Sequence, residues 1–287
     1  MLKKLTLIVL SVAILLSVCS CGTKEESVSI KDANIYGEYK IDEAAITDKH
    51  DFSAENVSVT IGEITYEDVT TKINMHIKNE RQDKVTVTTA DMSINGLMST
   101  EALLLTLDAG EEKDSYIQIS NQWFAEMNIE TIKEIEFLIK IYDEKDEEIA
   151  KSEVFHIKTD APWTYKQKYE ETGYVIYEHK GITLSVLEMK KSALSNDMEL
   201  VFYAENKTDK TISVMSSDVS VNGTPIEPLF VITVGAKKKA IDSMLFYEKD
   251  LTEREIKEIK FVRAKFRAFD ENLATVFETD KLEVPVK

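Results

Sequence analysis

The side chains that most often carry out chemistry are scattered along this sequence. Its four histidines, His50, His76, His156 and His179, have neither metal-ligand spacing nor a cysteine neighbour. The sequence contains no Gly-x-Ser-x-Gly elbow, no His-Glu-x-x-His helix and no phosphate-binding glycine loop. We therefore predict no catalytic residue, no metal site and no cofactor.

One segment is rich in the oxygen ligands that calcium prefers. It is YDEKDEEIA, from Tyr142 to Ala150, and it lacks the Asp-x-Asp-x-Asp-Gly order of a calcium loop. The composition therefore favours a solvated hairpin tip.

Six basic residues in the C-terminal half form the candidate ligand-binding set. Three are consecutive in the loop VGAKKKA, and three alternate with apolar residues, as expected for the outer face of a strand. They are Lys237, Lys238, Lys239, Arg263, Lys265 and Arg267. Such a set suits an acidic cell-wall polymer or an acidic face of an envelope protein. The alternative for the three lysines is a solubilising loop.

The first residues have the pattern of an export signal. Lys3 and Lys4 precede an apolar run from Leu5 to Val18, which is shorter than the roughly 20 residues of a membrane-spanning helix. The segment VCSCG, residues 18–22, resembles the lipobox of bacterial lipoproteins.

This resemblance implies that Cys21 is acylated, with a palmitate-type chain, and becomes the mature N-terminus. Residues 1–20 would be the signal peptide, and residues 21–50 would be the lipidated cysteine and an acidic tether. The expected location is the extracellular face of the cell membrane, held by the lipid. Cleavage before Cys19 is a less favoured alternative, since Val18 is bulky where a small residue is wanted. With Cys21 acylated, disulfides are excluded and the fold must rest on its apolar core.

A repeated phrase predicts two similar domains. The segment from Asn79 to Gly96 matches the segment from Asn206 to Gly223, and both end in Asn-Gly. Asn-Gly between apolar runs is a strong hairpin signal, because both turn residues need positive φ. We expect Asn95-Gly96 and Asn222-Gly223 to be equivalent turns. Asn79 and Asn206 are expected at an earlier turn with left-handed backbone angles.

The apolar residues between these points alternate with polar ones, as in half-buried strands. In each copy the alternation changes parity between Val87 and Met92, or between Val214 and Val219, which predicts a β-bulge or a strand break. The string IKEIEF at Ile132 matches IKEIKF at Ile256 at an offset of 124 rather than 127. We attribute this drift to loops.

A short helix is expected near each of those two strings. Thr131 with Glu134, and Thr252 with Glu255, have the spacing of a capping box at a helix N-terminus.

The shared order is a strand, Asn near Asp-Lys, Val-x-Val, Asn-Gly and then Ile-x-x-Ile-x-Phe. This order resembles the immunoglobulin-like domains of unknown function on lipoproteins of Gram-positive bacteria. The resemblance implies an all-β chain with two tandem immunoglobulin-like antiparallel β-sandwich domains, and it supplies no catalytic residues. We place them at residues 51–160 and 161–287, with a possible additional strand in residues 34–41.

Charge limits the possible partners. The net charge is −17, and the acidic excess lies in residues 22–160, so a general nucleic-acid surface is not expected. The sequence favours a non-catalytic binding, adhesion or envelope accessory module. A structural spacer is the first alternative, and an envelope enzyme with an unrecognised site is the second.

Overall fold

The computed structural model describes residues 39–169, 173–192 and 195–286. Within these ranges the chain consists of β-strands, connecting loops and two short helices, which confirms the all-β prediction. None of the helices in these ranges has the length and apolar character needed to cross a bilayer. Cys21, the signal peptide and most of the tether lie outside the described residues.

The first ten strands form the N-terminal sandwich. The elements are β1 (His50–Ala54), β2 (Val57–Tyr66), β3 (Thr70–Asn79), β4 (Val85–Ile94), β5 (Leu97–Met98), β6 (Leu104–Leu107), β7 (Glu112–Ser120), α1 (Asn121–Glu126), β8 (Glu134–Asp143), β9 (Glu148–Lys151) and β10 (Phe155–Lys158).

The last ten strands form the C-terminal sandwich. The elements are β11 (Tyr174–His179), β12 (Ile182–Lys191), β13 (Met198–Asn206), β14 (Ile212–Val221), β15 (Thr224–Pro225), β16 (Val231–Val234), β17 (Lys239–Phe246), α2 (Glu248–Glu253), β18 (Val262–Asp270), β19 (Thr275–Glu278) and β20 (Leu282–Val284).

Three sheets build the two sandwiches. A four-stranded sheet, β1-β2-β3-β7, and a six-stranded sheet around β15-β14-β18-β19 lie at the two extremes of the topology. Between them a ten-stranded sheet has the order β10-β8-β4-β5-β17-β13-β12-β11, with β6 on β4 and β9 on β8. This sheet therefore serves both sandwiches, and its two parts meet where β5 pairs with β17.

Alternation along the strands builds one apolar core in each sandwich. In β3 the side chains of Ile73, Met75 and Ile77 are buried, and in β13 those of Leu200 and Phe202 are buried. Each fully buried side chain of this kind contributes about 1.5–3 kcal/mol relative to its exposed state. The two clusters of buried residues are separate, so each sandwich has its own core.

From β3 and β13 onward, equivalent positions in the two copies are separated by 127 residues. For example, α1 begins at Asn121 and α2 begins at Glu248. The strand registers agree, since Ser93 pairs with Glu136 and Ser220 pairs with Arg263. The alignment of IKEIEF with IKEIKF at an offset of 124 is therefore wrong, because the two strings do not occupy equivalent positions in the two strands. Glu136 corresponds to Arg263, and no drift occurs between the copies here.

The predicted β-bulge is present in both copies. The β4–β8 register shifts between Ala90 and Ser93, and the β14–β18 register shifts between Ser217 and Ser220. Asp91 and Asp218 lie at the two shifts with φ of 55° and 51°. The extra residue explains the change of parity seen in the sequence.

Asn79 and Asn206 do not have the expected left-handed angles; both are buried ends of strands. The Asn79 side-chain amide donates to the carbonyl oxygens of Asp83 and Asp108, both at 2.9 Å. The Asn206 amide makes the equivalent bonds to Lys210 and Gly235. These amides satisfy loop carbonyl groups that would otherwise be buried without partners.

The capping-box prediction placed both helices too late in the chain. Helix α1 ends before Thr131, and Thr252 lies inside α2. The N-cap of α1 is Ser120, whose hydroxyl accepts from Gln122 N at 3.2 Å, and the N-cap of α2 is Tyr247, whose side chain makes no capping bond. The Thr-x-x-Glu spacing therefore does not mark the start of a helix in either copy.

Candidate functional site

The turn Asn95-Gly96 is fixed by its own side chain. Asn95 and Gly96 have φ of 50° and 81°, and they connect β4 to β5. The Asn95 Oδ1 accepts from the backbone N–H groups of Lys133 at 2.8 Å and Glu134 at 3.1 Å, and its Nδ2 donates to Thr131 O. The turn is thus held against the start of β8.

The turn Asn222-Gly223 has the same construction. Its φ values are 52° and 88°, and it connects β14 to β15. Asn222 Oδ1 accepts from Lys260 N at 2.9 Å, and Nδ2 donates to Glu258 O at 2.6 Å. Among the described residues, no atom lies within 4 Å of the position that a Gly223 Cβ would occupy.

The first turn, by contrast, contacts the C-terminal sandwich. Lys239 N donates to Gly96 O at 3.0 Å, and Leu97 pairs with Lys239 in parallel register. This short pairing joins β5 to β17 and makes one sheet of the two parts. Met98 packs against the C-terminal core and Ile241 packs against the N-terminal core, so each sandwich places a side chain against the other.

A buried carboxylate lies beside this pairing. Glu136, on β8, is 5% exposed and accepts from Ser93 Oγ at 3.0 Å and bonds His156 Nδ1 at 2.5 Å. The oxygen that accepts from Ser93, Oε2, also pairs with the ammonium of Lys238, which comes from the C-terminal sandwich. Burial lowers the pKa of Lys238, and the nearby Glu134 carboxylate opposes that change. The ion pair therefore crosses the junction between the sandwiches.

Glu134, Glu136 and His156 lie close enough together to resemble a metal site. The Lys238 ammonium, however, already bonds the Glu136 carboxylate, so a positive charge stands where a cation would bind. The cluster is a salt-bridge network of the junction and carries no argument for a metal.

The segment between the sandwiches packs on the same turn. Tyr169 Oη donates to Asn95 O at 2.7 Å, and the Lys239 ammonium lies 4.4 Å from the centre of the Tyr169 ring. Gln167 Oε1 accepts from Asn95 Nδ2 at 3.1 Å, and Lys133 Nζ donates to Tyr165 O at 2.9 Å. The connection is therefore tied down by hydrogen bonds before it enters β11.

A cleft of about 620 Å³ opens beside the junction, and both sandwiches line it. Helix α1 supplies Gln122, Trp123 and Glu126 to one wall. The opposite wall is the outer face of β12, β13 and β17. Its residues include Glu188, Lys190, Glu199, Val201, Ile241 and Ser243. The lining is mixed, with an aromatic ring, aliphatic groups and more carboxylates than ammonium groups.

Asp242 borders the cleft from the core side of β17. Its side chain is on the same face of β17 as the buried Ala240 and Met244, whereas Ile241 and Ser243 are on the opposite face. Burial raises the pKa of Asp242, and the Glu199 carboxylate raises it further, while a 2.7 Å hydrogen bond from Ser243 N opposes the change. Its raised pKa follows from its position in the wall, since charge is disfavoured where water is excluded.

The six basic residues of the candidate ligand-binding set do not form one surface. Lys237, Lys238 and Lys239 lie at the junction end of the C-terminal sandwich, where Ile212 pairs with Val234. Arg263 lies opposite Ser220, near the far end of β14, and the strand between Ile212 and Ser220 spans roughly 26 Å.

Each of the six also has an acidic partner within the chain. The partners are Asp209 for Lys237, Glu136 for Lys238, Glu205 for Lys239, Glu283 for Arg263, Asp218 for Lys265 and Glu278 for Arg267. Ligand binding by the set stays a prediction. The Lys238–Glu136 pair gives this basic loop a role within the chain.

The junction and the cleft had no motif in the sequence. Trp123 and Gln122 follow Ser120 in a segment with no strand alternation, and this was the available signal for a helix at that point. Nothing local links Lys238 to Glu136, because they are far apart in the chain.

Comparison with known proteins identifies no family. No family model matches the sequence, and no curated protein matches it significantly. Distant structural matches include the exo-chitosanase CsxA of Amycolatopsis orientalis, at 11% identity over 75% of this chain and 25% of that chain, with a TM-score of 0.23. Red sea bream transglutaminase matches at 9% identity over 90% of this chain and 33% of that chain, with a TM-score of 0.22.

The Salmonella enterica SafA pilin in complex with the SafB chaperone is a further match. It has 12% identity, covers 75% of this chain and 89% of that chain, and has a TM-score of 0.21. The chain thus spans about a quarter of the exo-chitosanase and a third of the transglutaminase. Likeness at these scores carries no argument about function.

Proposed function

We propose that this protein is a lipid-anchored, extracellular, non-catalytic binding module whose ligand site is the cleft beside the junction. The observation that carries the proposal is a cleft of about 620 Å³ lined by both sandwiches and lying next to their hydrogen-bonded contact. Clefts of this size with a few convergent polar groups are the usual form of a binding site, and they occur preferentially at domain interfaces.

The finer fold assignment is part of the proposal. Two antiparallel sheets facing each other across one core, repeated once, support two tandem immunoglobulin-like domains. Such a scaffold presents rigid surfaces and hosts many unrelated functions, so the argument for binding rests on the cleft.

The lining favours a segment of an envelope protein as the ligand. Trp123 offers a flat apolar surface, and Glu126, Glu188 and Glu199 outnumber the lysines of the cleft. An acidic cell-wall polymer would be repelled there. That polymer would instead use the basic residues of the C-terminal sandwich, whose charges are already compensated by acidic neighbours.

The anchor is supported by the leader alone. We expect Cys21→Ser to leave the chain unlipidated and to release it from the membrane fraction. Mass spectrometry of the mature N-terminus distinguishes Cys21 from Cys19. An unmodified N-terminus at any other residue would contradict the lipoprotein proposal.

The cleft is tested by filling it. Ser243 lies on the outer face of β17 in the cleft wall, so Ser243→Tyr should obstruct ligand entry without touching the core. The matched control is Ser213→Tyr, on β14 of the same sandwich and outside the cleft. Capture of envelope proteins by the Cys21→Ser chain should fall at least tenfold with Ser243→Tyr and remain unchanged with the control.

A second arm separates the two ligand classes. Purified wall polymer should bind weakly and without response to Ser243→Tyr. If the polymer binds strongly, and Arg263→Glu with Arg267→Glu abolishes that binding, the basic residues are the site and the cleft proposal is wrong.

The spacer alternative is favoured by one specific observation: hydrogen bonds tie the connecting segment to the N-terminal sandwich, and Lys239 N of the C-terminal sandwich donates to Gly96 O. A spacer needs its length and stiffness and no ligand. Equal envelope capture by the parent chain and by Ser243→Tyr would favour it.

A further inference from the structure

The contact between the two sandwiches joins two different ends. One partner is the turn end of the N-terminal sandwich, with Gly96, Leu97 and Glu136. The other is the loop end of the C-terminal sandwich, with Lys238 and Lys239. Since both sandwiches have the same construction, one end of each type is left unused by the described part of each molecule.

The unused loop end has the backbone of the loop that makes the contact. Glu111 N donates to Asp108 O at 3.1 Å, as Lys238 N donates to Gly235 O at 3.2 Å. Gly110 has φ of 71°, and Lys237, 127 residues later, has φ of 59°. The loop from Asp108 to Glu112 is largely exposed, whereas Gly235 is buried at the junction.

The unused turn end is also a copy of the one that makes the contact. Asn222-Gly223 repeats the angles and side-chain bonds of Asn95-Gly96, and Gly223 is exposed. Arg263 is at the position equivalent to Glu136, because it pairs with Ser220 of β14 as Glu136 pairs with Ser93 of β4.

The charges at the unused ends are reversed on both sides. In the internal contact a carboxylate at the turn end, Glu136, meets an ammonium at the loop end, Lys238. At the equivalent positions the turn end carries a guanidinium, Arg263, and the loop end carries a carboxylate, Glu111. A repeat of the contact between two molecules would therefore again pair opposite charges.

Arg263 has donors for such a second partner. Its Nε and Nη2 donate to Glu283 at 3.0 and 2.8 Å, and a guanidinium carries five N–H groups. Glu136 serves His156 and Lys238 in the same shared manner. Glu283 occupies the position of His156, so the supporting pair recurs with donor and acceptor exchanged.

We propose that the protein associates head to tail with further copies of itself, the turn end of the C-terminal sandwich binding the loop from Asp108 to Glu112 of the next molecule. The central ion pair of this contact is Arg263 with Glu111. The contact joins two different surfaces, so it generates a ring or an open chain of molecules. It leaves the cleft unused and does not depend on what the cleft binds.

The test is sedimentation of the Cys21→Ser chain from about 10 µM to about 1 mM, a range that covers weak association. The average mass should rise with concentration beyond that of a dimer. Arg263→Glu and Glu111→Arg should each weaken association at least tenfold, and the chain carrying both changes should regain it. Lys265→Glu is the control, since Lys265 lies on the same strand but is not at the equivalent of a junction position.

The variant that carries both changes shows whether a loss of association is due to misfolding, because a chain that regains association must be folded. A monomer at every concentration would overturn the proposal. So would association that is unchanged by Arg263→Glu, or a closed dimer that does not grow.

Discussion

The turns Asn95-Gly96 and Asn222-Gly223 have the same sequence, the same left-handed angles and the same bonds to the following strand. Their surroundings differ. The first contacts Lys239 and Tyr169, whereas no described residue lies within 4 Å of where a Gly223 Cβ would be. Local sequence therefore determines the turn, while its use as a contact depends on residues elsewhere in the chain.

The largest expected difference between these two ends concerns their ion pairs. Removing one partner of a buried pair costs about 3–5 kcal/mol, and because Lys238 is partly exposed we expect about 2–4 kcal/mol for Lys238→Ala. At the other end Arg263→Ala should cost less than about 1 kcal/mol, since the Arg263–Glu283 pair is half exposed. Denaturant unfolding measures both. Equal losses would show that the Lys238–Glu136 pair does not stabilise the junction.

Equivalent substitutions inside the two sandwiches should lower the free energy of unfolding by similar amounts. Asn79→Ala and Asn206→Ala each leave buried loop carbonyls without a donor, so each should lower the free energy of unfolding by about 2–3 kcal/mol. The measurement is the denaturation midpoint of each variant at constant slope. A difference above about 1 kcal/mol would mean that the copies differ in their interiors and not only at their ends.

The features that follow local rules could be predicted from the sequence. Strand alternation, the change of parity at Asp91 and Asp218, and the all-β class depend on side-chain periodicity, which the sequence displays directly. The helix starts were placed wrongly because Thr131 and Thr252 match a capping pattern that the chain does not use.

The candidate site could not be predicted in the same way. The Lys238–Glu136 pair depends on how two folded sandwiches meet, and the likeness of IKEIEF and IKEIKF hid the correspondence of Glu136 with Arg263. The sequence shows that Lys238 and Glu111 have opposite charges, but it does not show that Lys238 pairs with Glu136. A cleft wall built from α1, β13 and β17 is likewise a product of the junction.

Substitutions at Gly96 and Gly223 separate the energetic cost of a positive φ from the cost of a close contact. Gly96→Ala and Gly223→Ala should each cost about 1 kcal/mol, because both positions have positive φ. Gly96→Ala should cost somewhat more, since its Cβ would approach Tyr169 Oη to 3.2 Å. Adding Tyr169→Phe to both variants checks the difference: the extra loss at Gly96 should shrink, and the loss at Gly223 should stay the same. A larger loss at Gly223 would contradict the assignment of the docked turn.

The smallest expected effect is a pH dependence confined to the C-terminal sandwich. Burial against the cleft wall raises the pKa of Asp242 above its ordinary value of 3.8, and the equivalent residue of the N-terminal sandwich, Ser115, does not titrate. The folded chain thus binds a proton at Asp242 up to a higher pH than the unfolded chain does. Its contribution to stability is complete below about pH 3.8 and is lost as the pH rises through the raised pKa. As the pH rises across this range, the unfolding free energy of the parent chain should decrease relative to that of Asp242→Asn. An identical slope for both would show that Asp242 is solvated like an ordinary surface carboxylate, and that the cleft wall does not exclude water from it.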